Sequence, residues 1–581
     1  MTPSNESVIA ALRQLVSYTK LEDGQSQSFR TRAYEKAIDA IAASPEQVGA
    51  MSVAELTSID GIGDSTARKI IEFSAHGSIA KVERLKARFP PTMLDLMRIP
   101  GLGPKTVLLL QDTLGVVDVA GLTEAIEKQQ LRTLPGLGAK SEEKIAKAIT
   151  LLGIHSDETR VPIADAMEIA RRVMGELVAV EGVLEVEYAG SLRRLSETIG
   201  DVDILVTAES DSPVAERFIG LPGVTAVLGS GDTKASVVFD DRMQVDLRVV
   251  PDSAFGAALM YFTGSKGHNI ALRQRALDRG LTLNEYSLSE IDSGTVMAST
   301  TEADIYHRLD LSWITPEVRE DTGEIAAAAE GRLPAPMHVG DLRGDLHVHT
   351  NWSGDGRSSL KDMLDAAVER GLQYIAITDH AEDLVMNGLS RDRMLEQRAE
   401  IEELRPEYPS LAILHGAELN IGPDGSIDYD AEFLTGFDFG VASIHSHFDL
   451  SEAEQTERLI AAIRNPAVTV IGHPSGRRIG SRPGVQFDPD AVFAAAAATH
   501  TALEINSHLH RLDLAAPLLR RAVETSDVLF AISTDAHHTT AYDTVRWGIA
   551  QARKGWVPAE RVLNTFDESS FSTWIATKRN S

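Results

Sequence analysis

The chain has 581 residues, of which 43% are hydrophobic and none is cysteine. At ~150 residues per domain, this length predicts several domains with packed cores, and the lack of cysteine excludes disulfides and thiolate metal sites. No stretch approaches the ~20 apolar residues of a membrane span, and the N-terminus has neither the charge nor the apolar core of a signal peptide. We therefore expect a cytoplasmic protein that does not associate with membranes.

Charge is unevenly distributed along the chain. The net charge of −29 argues, taken alone, against a nucleic-acid partner. Residues 1–150, however, contain 18 Lys/Arg and 18 Asp/Glu, so the acidic excess lies wholly downstream. Local basic and backbone contacts to DNA are therefore compatible with the composition, and the acidic bulk should make such binding more sensitive to salt.

A Gly-x-Gly motif occurs three times, within Ile59–Gly63, Ile99–Gly103 and Leu134–Gly138, at spacings of 40 and 35 residues. Each copy lies between two helical patterns. One such motif usually marks a plain turn, but glycines also allow a hairpin to turn tightly and bring backbone N–H groups against a phosphate. The repeat predicts helix-hairpin-helix motifs that bind the DNA backbone without sequence preference. Their DNA-binding positions are Gly61, Gly63, Gly101, Gly103, Gly136 and Gly138.

The middle of the chain carries a group of carboxylates. A Gly-Ser pair at residues 190–191 is followed ten residues later by Asp201-Val-Asp203, and the run 237–248, predicted as one further strand, contains Asp246. Alternation along a strand places Asp201 and Asp203 on one face, and a neighbouring strand can bring Asp246 beside them. Asp-x-Asp alone is common in solvated turns. The three together predict a site for two Mg²⁺ or Mn²⁺ ions that would activate a 3′-hydroxyl and neutralise a triphosphate.

Metal-type residues recur along the last part of the chain, mostly at or next to the end of a short apolar run such as 374–380 or 439–445. These runs predict buried parallel strands, and the helical stretches Leu360–Arg370 and Ala515–Thr525 predict a βα barrel with its ligands on one rim. One His at a strand end is usually a surface or core residue, but the recurrence predicts a catalytic metal site. Imidazole and carboxylate ligands suit Zn, Mn or Fe. The nine residues are His347, His349, Asp355, His380, Glu418, His445, His473, Asp535 and His537.

From about residue 341 to the end, the chain resembles a PHP (polymerase and histidinol phosphatase) domain, and all nine positions of that family's ligand pattern are occupied. The resemblance implies a distorted (β/α)7 barrel that holds three divalent metals, Mn²⁺ or Zn²⁺. It assigns the first metal to His347, His349, Glu418 and Asp535, the second to Glu418, His445 and His473, and the third to Asp355, His380 and His537. Phosphoester hydrolysis is the implied chemistry.

The carboxylate segment resembles the nucleotidyltransferase superfamily. Within that superfamily, the residues Leu259–Arg273 are similar to the nucleotide pocket of the family X DNA polymerases, the group that contains vertebrate polymerase beta. Together with the PHP-like segment, almost the whole chain resembles the bacterial and archaeal members. One departure is Ile199, which stands where the polymerase beta pattern has a serine.

The resemblance implies catalytic, metal-binding roles for Asp201, Asp203 and Asp246, and nucleotide-binding roles for a further set. Independently of it, arginine forks suit phosphate oxygens, and a Tyr-Phe pair beside a glycine can pack against a sugar. The nucleotide-binding positions are Arg160, Gly190, Ser191, Arg194, Gly200, Tyr261, Phe262, Gly264, Asn269 and Arg273.

Lys69 is a candidate for a third activity. In polymerase beta, the first hairpin helix carries a lysine that forms a Schiff base with an abasic deoxyribose phosphate, and Lys69, eight residues past Gly61, occupies that position. Lys144 stands eight residues past Gly136 in the third hairpin, where no such chemistry is expected. The sequence is compatible with two interpretations of Lys69, a lyase residue or an ordinary surface lysine without a catalytic role.

The implied fold is multidomain α/β and α+β, with N-terminal helix-hairpin-helix domains, a polymerase beta-like nucleotidyltransferase palm and the C-terminal barrel. The predicted boundaries are 1–90 for a helical lyase-like domain, 91–155 for a helix-hairpin-helix domain, 156–320 for the palm and nucleotide-binding subdomain, 321–340 for a linker and 341–581 for the PHP domain.

We expect a DNA repair polymerase that fills short gaps from a template, joined to a metal-dependent 3′-5′ exonuclease or phosphoesterase that acts on DNA ends. Gapped or nicked DNA and deoxynucleoside triphosphates are the expected partners, and we expect a monomer. One alternative is a PHP phosphoesterase whose polymerase-like half only binds DNA, against which the intact carboxylates argue. Another is a small-phosphoester phosphatase of the histidinol type, against which the DNA-binding hairpins argue.

Overall fold

The computed structural model describes residue 3 and residues 5–25, 28–43, 47–59, 61–97, 99, 101–152, 160–240 and 242–579. It divides into two compact units, one of Met1–Arg160 and Gly480–Pro483 and the other of Val161–Ile479 and Gly484–Ser581. Asp60 and Pro100, within the first two Gly-x-Gly motifs, and the boundary predicted at 155–156 lie outside the described residues.

The first unit is helical where it is described. Apolar side chains at helical spacing, such as Leu12 and Leu15, are fully buried and build one core. Its helices are α1 (Asn5–Asp23), α2 (Phe29–Ala43), α3 (Val53–Ser58), α4 (Asp64–His76), α5 (Ala80–Arg88), α6 (Thr92–Leu96), α7 (Pro104–Leu114), α8 (Val119–Glu127) and α9 (Ala139–Leu152). In the part of the chain that the structure describes, no single helix is long and apolar enough to cross a membrane. By length and composition alone, α7 and α8 pass that test as a pair bent by 69°.

The second unit begins with a mixed sheet. Its elements are β1 (Val161–Pro162), α10 (Ile163–Val178), β2 (Val183–Tyr188), α11 (Gly190–Arg193), β3 (Thr198–Ile199), β4 (Asp201–Ala208), α12 (Val214–Ile219), β5 (Val224–Ser230), β6 (Lys234–Phe239) and β7 (Met243–Val249). Five strands pair in the order β2-β4-β7-β6-β5, in which β4 and β7 are parallel and the other neighbours antiparallel. The prediction of one strand over 237–248 is wrong. β6 and β7 form a hairpin, because the chain turns at Asp240, whose φ is +50°.

A smaller subdomain follows, with a three-stranded antiparallel sheet in the order β10-β9-β8. It contains α13 (Phe255–Thr263), α14 (Lys266–Leu277), β8 (Leu281–Leu283), β9 (Leu288–Glu290), β10 (Val296–Ala298), α15 (Glu302–Arg308) and α16 (Glu324–Ala329). The helix α16 lies in the segment predicted as a linker. Glu324 is 1% exposed and its Oε1 atom lies 2.7 Å from Nδ1 of His268, so this part of the segment is packed against the subdomain.

The last part of the chain forms the predicted barrel. It contains β11 (Gly344–Val348), α17 (Leu360–Glu369), β12 (Tyr374–Ile377), α18 (Arg391–Leu404), β13 (Ala412–Asn420), α19 (Ala431–Leu434), β14 (Phe439–Ser443), α20 (Glu452–Ile463), β15 (Val470–Gly472), α21 (Pro489–Ala498), β16 (Ala502–Asn506), α22 (Ala516–Thr525), β17 (Phe530–Ser533), α23 (Val545–Lys554) and α24 (Glu568–Arg579). The strands β11 to β17 pair in parallel in chain order. A further parallel bridge between Val348 and Ala536 nearly closes the barrel. Because the strands are parallel, their carboxyl ends meet at one rim.

Candidate active sites

The carboxylate site consists of Asp201, Asp203 and Asp246. The parallel pairing of β4 with β7 sets Asp203 opposite Asp246, and Asp201, two residues earlier on β4, lies on the same face. One carboxylate oxygen from each of the three lies within 4.8 Å of the others. The structure therefore brings together the three carboxylates that the sequence singled out.

The electrostatics of the carboxylate site favour cations. Burial, together with the charges of Asp201 and Asp246, raises the pKa of Asp203 to about 7. Oδ1 of Asp246 accepts hydrogen bonds from Ser236 Oγ and, at 3.1 Å, from Gln244 Nε2, which fix the orientation of the carboxylate. Mutually repelling carboxylate oxygens with fixed orientations fit divalent cations such as Mg²⁺.

Gly190 has a steric reason to be glycine. Its φ is +63°, and a Cβ atom there would lie 2.5 Å from Oδ2 of Asp203. The N–H of Ala189 donates to the carbonyl of Asp203 at 2.8 Å, which ties the start of α11 to the carboxylate strand. The helix α11, which contains the predicted triphosphate-binding residue Ser191, thus begins beside the carboxylate site.

Arg194 lies next to this turn and contacts the subdomain that follows. Its Nη1 atom donates to the carbonyl of Thr263 at 2.6 Å, and its Nε atom donates to Oε1 of Glu320 at 3.3 Å. Gly264 is close by, since a Cβ atom there would lie 3.2 Å from Nη1 of Arg194. The positive charge of Arg194 partly offsets the rise in the pKa of Asp203, as expected for a guanidinium near the carboxylate site.

Four other predicted nucleotide-binding residues form one group. The rings of Tyr261 and Phe262 meet edge to face with centroids 5.2 Å apart, and the guanidinium of Arg273 lies 5.1 Å from the centroid of Tyr261. Nδ2 of Asn269 donates to the carbonyl of Tyr261 at 2.7 Å. Arg160 is assigned to the first unit, and its role stays a prediction, as do the roles of this group.

The histidine site consists of the nine predicted residues of the barrel, and Glu418 lies at its centre. Oε2 of Glu418 lies 3.5 Å from Nε2 of His347 and 3.6 Å from Nε2 of His349. Oδ1 of Asp535 lies 3.8 Å and 3.3 Å from the same two nitrogens. The four residues predicted for the first metal therefore converge.

The second oxygen of Glu418 faces the residues predicted for the second metal. Oε1 lies 3.2 Å from Nε2 of His445 and 3.0 Å from Nε2 of His473. One buried carboxylate thus spans two predicted metal positions with its two oxygens.

The residues predicted for the third metal also meet. Oδ2 of Asp355 lies 3.2 Å from Nε2 of His380 and 3.5 Å from Nε2 of His537. The ring of His349 stacks on that of His537 with centroids 4.2 Å apart, so this group adjoins the first. All nine residues therefore form one continuous cluster.

The pKa shifts at the histidine site differ from residue to residue. Burial alone would lower the pKa of His347 and His380, but the carboxylates around them, Glu418 foremost among those they share, outweigh it and raise both. Burial, together with the charges of His537 and His380, lowers the pKa of His349 to about 3, so its imidazole is neutral at pH 7. Nε2 of His347 and both ring nitrogens of His349 are buried and have no hydrogen-bond partner among the described residues. Burial alone would raise the pKa of Glu418, but His445, His347 and His380 outweigh it and hold that pKa well below its usual range. Orphaned nitrogens beside ionised carboxylates fit divalent metals.

Two residues that sequence reasoning missed orient these ligands. Oε1 of Glu504, on β16, lies 2.7 Å from Nδ1 of His347, and its Oε2 accepts from the N–H of His473 at 2.5 Å. Oδ1 of Asn420 lies 2.7 Å from Nδ1 of His445. A sequence feature pointed to Glu504: a charged residue inside an otherwise apolar strand is rarely buried without a partner.

The three Gly-x-Gly motifs share one geometry. The first glycine of each has a positive φ of +97°, +90° and +81° at Gly61, Gly101 and Gly136. The second glycine directly precedes α4, α7 or α9, and a Cβ atom there would meet nothing within 4 Å at Gly63, Gly103 and Gly138. The fold thus requires the first glycine for its turn, whereas the second leaves the backbone at the helix start open to a ligand.

Lys69 lies on α4 after the first motif. Its Nζ atom donates to the carbonyl of Ser65 at 3.0 Å and to its Oγ at 2.9 Å, and lies 5.4 Å from the ring centroid of Tyr34. Burial lowers the pKa of Lys69, and the charge of Lys81 lowers it further. Its lyase role stays a prediction.

Family models match five segments of the chain. They describe a helix-hairpin-helix domain over residues 3–79, a SAM-like helix-hairpin-helix tandem over 93–150, a DNA polymerase beta palm over 160–229, a DNA polymerase beta thumb over 258–320 and a PHP domain over 345–480. Asp201 and Asp203 lie in the palm match, and seven of the nine residues of the histidine site lie in the PHP match. Asp246, Asp535 and His537 lie outside the matched ranges.

Three relatives show how these segments combine. The DNA polymerase/3′-5′ exonuclease PolX of Bacillus subtilis is 37% identical over 96% of this chain and 97% of its own length. DNA polymerase lambda of Rattus norvegicus is 27% identical over 51% of this chain and 53% of its own length. A probable phosphatase of Shewanella sediminis is 29% identical over 39% of this chain and 90% of its own length.

Proposed function

The chain belongs to the family X DNA polymerases that carry a C-terminal PHP domain, and we propose that it fills short gaps in DNA from a template and trims 3′ ends with its barrel. One observation carries this proposal. Asp201, Asp203 and Asp246 offer oxygens within 4.8 Å of one another, on the same chain as a complete histidine site. An extending site and a hydrolysing site on one chain suit the repair of damaged or mispaired ends.

In the proposed extension reaction, the carboxylate site would hold two Mg²⁺ or Mn²⁺ ions. Such ions activate a 3′-hydroxyl and neutralise charge that develops on a triphosphate. Ser191 follows Gly190, which lies against Asp203, and the charge of Arg194 acts on Asp203. A hydroxyl and a guanidinium at these positions would bind the triphosphate oxygens. Tyr261 and Phe262 would pack against the sugar, and Arg273, held over Tyr261, would contact the template side.

In the proposed hydrolysis, the histidine site would hold three divalent metals, Mn²⁺ or Zn²⁺. Metals in such a cluster polarise a phosphoryl oxygen and stabilise the leaving oxygen. Glu418 would join the first two positions through its separate oxygens, and Asp355 would organise the third. The Bacillus subtilis relative is named as a 3′-5′ exonuclease, which supports a DNA end as the substrate.

The helix-hairpin-helix motifs would supply sequence-independent DNA binding. The space beside their second glycines, at the starts of α4, α7 and α9, is not filled by other groups of the described chain. A phosphate oxygen there would be favoured by the helix dipole and by the backbone N–H groups of the first turn, although Pro104 at the start of α7 has no N–H to donate. Gapped or nicked DNA is therefore the proposed substrate of both sites, with deoxynucleoside triphosphates as the second substrate and a monomer as the working form.

A labelled gapped duplex, incubated with Mn²⁺ with and without nucleotides, tests the proposal. Asp203→Ala should abolish primer extension and leave shortening intact, whereas His349→Ala should abolish shortening and leave extension intact. Asp292→Ala and His307→Ala, which change exposed side chains far along the chain from either site, are the matched controls and should behave as the wild type.

Two other outcomes would change the conclusion. Wild-type protein that shortens DNA but never extends it would favour a phosphoesterase with a DNA-binding module. Hydrolysis of free phosphomonoesters with no action on DNA ends would favour a small-phosphoester phosphatase. The Shewanella sediminis relative is named a probable phosphatase, without a stated substrate.

A further inference from the structure

A lysine of the barrel reaches the nucleotide side of the carboxylate site. Lys554 is the last residue of α23, and its Nζ atom donates to the carbonyls of Arg194 at 2.7 Å and Leu195 at 3.2 Å. The same atom donates to Oε1 of Glu320 at 3.3 Å. An ammonium group has three protons, so each proton of Lys554 has an acceptor.

The turn that Lys554 holds is strained. Leu195 has a φ of +54°, in the left-handed region that a leucine rarely adopts. Within the turn, the carbonyls of Gly190 and Ser191 accept from the N–H groups of Arg194 and Ser196. The carbonyls of Arg194 and Leu195 accept instead from the barrel lysine. Lys554 therefore stabilises the end of a turn whose start lies against Asp203.

Glu320 links the lysine to the proposed triphosphate-binding arginine. Its Oε1 atom lies 3.3 Å from both Nε of Arg194 and Nζ of Lys554. Because one carboxylate is shared by two cations, Lys554 neutralises part of the charge that would otherwise act on Arg194 alone. Without the lysine, Glu320 would hold Arg194 more tightly and compete better with a triphosphate.

The barrel is firmly attached at this position. Arg477 pairs with Glu197 at 2.6 Å and Arg553 with Glu317 at 2.9 Å, each pair joining the barrel to the segment before it. Trp547 and Leu512 of the barrel are buried in the same apolar core as α10 and α11. These contacts fix α23 beside the turn, within one compact unit.

From these contacts we propose that Lys554 is a positioning residue for nucleotide binding, so that the PHP barrel completes the polymerase site. The inference rests on the proposed role of Ser191 and Arg194 in binding the triphosphate. It assigns the barrel a second task, separate from hydrolysis.

The test compares Lys554→Met with Lys554→Arg in the full chain. The matched control is Lys578→Met, which removes another buried barrel lysine, 1% exposed, on α24. KM and kcat are measured for insertion of one nucleotide into a gapped duplex, with hydrolysis of bis(p-nitrophenyl) phosphate as the readout of the barrel. Nucleotide Kd is measured on a gapped duplex with a dideoxy-terminated primer.

Loss of three hydrogen bonds, one of them to the carboxylate of Glu320, and of one positive charge predicts that Lys554→Met raises KM and Kd for the nucleotide by about tenfold, with a smaller change in kcat. Hydrolysis should be unchanged, Lys554→Arg should recover part of the loss, and Lys578→Met should leave KM as in the wild type. Unchanged KM and Kd in folded Lys554→Met would overturn the proposal. So would a parallel loss of insertion and hydrolysis, because that pattern indicates general destabilisation. If the wild-type chain inserts no nucleotide, the proposed function is wrong. The role of Lys554 would then be decided by the nucleotide Kd alone, which the proposal predicts to be higher for Lys554→Met than for the wild type.

Discussion

Glu504 and His347 lie on different barrel strands with Oε1 of the glutamate 2.7 Å from Nδ1 of the histidine. Both side chains are fully buried. This contact leaves Nε2 of His347 directed at Glu418 and Asp535, 3.5 Å and 3.8 Å away. A carboxylate behind a histidine fixes its tautomer and ring orientation, so Glu504 is placed to orient the first ligand of the histidine site.

We expect Glu504→Gln to reduce hydrolysis of DNA ends by about 10- to 100-fold, the usual effect of losing such a partner, while primer extension stays at the wild-type rate. Metal content by elemental analysis and end shortening on a labelled duplex would measure the effect. Glu452→Gln, at an exposed position of α20, is the matched control. Equal hydrolysis by Glu504→Gln and the control would refute the positioning role.

Asp203→Asn should stabilise the metal-free protein at alkaline pH. The folded-state pKa of Asp203, raised to about 7 by burial and then by Asp201 and Asp246, lies above the ordinary value of about 3.9. The carboxyl therefore contributes stability that is fully present below about pH 4 and is lost as the pH rises through about 7. At about 1.4 kcal/mol per pKa unit, the amide should add about 4 kcal/mol at pH 8 and nothing at pH 4. Thermal unfolding in EDTA at both pH values measures this, and a pH-independent difference would contradict it.

Glu302 is the centre of a buried ion cluster. Its Oε1 atom lies 2.8 Å from Nη1 of Arg193 and 2.6 Å from Nη1 of Arg319, and Arg319 is 0% exposed. Glu302→Gln should destabilise the subdomain by about 3 to 5 kcal/mol, because it takes the carboxylate away from the buried guanidinium of Arg319 and the partly buried one of Arg193. Hydrogen exchange of α15 should accelerate relative to Glu330→Gln, which changes an exposed glutamate. Unchanged protection of α15 would contradict the expectation.

Lys69 should be the residue that borohydride traps on abasic DNA, if the first hairpin has lyase activity. Burial and the charge of Lys81 lower the pKa of Lys69 and so raise the fraction of free amine at neutral pH. Lys69→Ala should then lose the covalent adduct, and Lys144→Ala, at the equivalent position of the third hairpin, should retain it. An adduct of wild-type intensity with Lys69→Ala would exclude the role.

Much of the fold followed from local patterns. Five of the seven barrel strands, β12 to β15 and β17, were predictable because each is a short apolar run followed by a polar residue, whereas β11 and β16 carry a charged residue within the strand. The parallel order of the strands accounts for the predicted ligands lying at one rim. The strand over 237–248 was mispredicted because two apolar runs were joined across Asp240, although a charged stretch between such runs favours a turn.

The residues that sequence reasoning missed depend on contacts between distant parts of the chain. Glu504 and His347 are 157 positions apart, and Lys554 and Arg194 are 360 apart. No local pattern specifies such a partner, since only the packing of the barrel against the mixed sheet brings Lys554 to the turn at Leu195. The packing of α16 was missed for the same reason. Its Glu324 is held by a contact with His268, which lies 56 positions earlier in the chain.

The central claim is that one chain carries two separable active sites that act on the same DNA end. The most direct measurement uses a labelled gapped duplex with a mispaired 3′ end, Mn²⁺ and all four nucleotides, and compares Asp203→Ala, His349→Ala and an equal mixture of the two. We predict that Asp203→Ala only shortens the primer, that His349→Ala does not shorten it, and that the mixture restores full-length product. Extension by Asp203→Ala alone, shortening by His349→Ala alone, or no full-length product with the mixture would contradict the account.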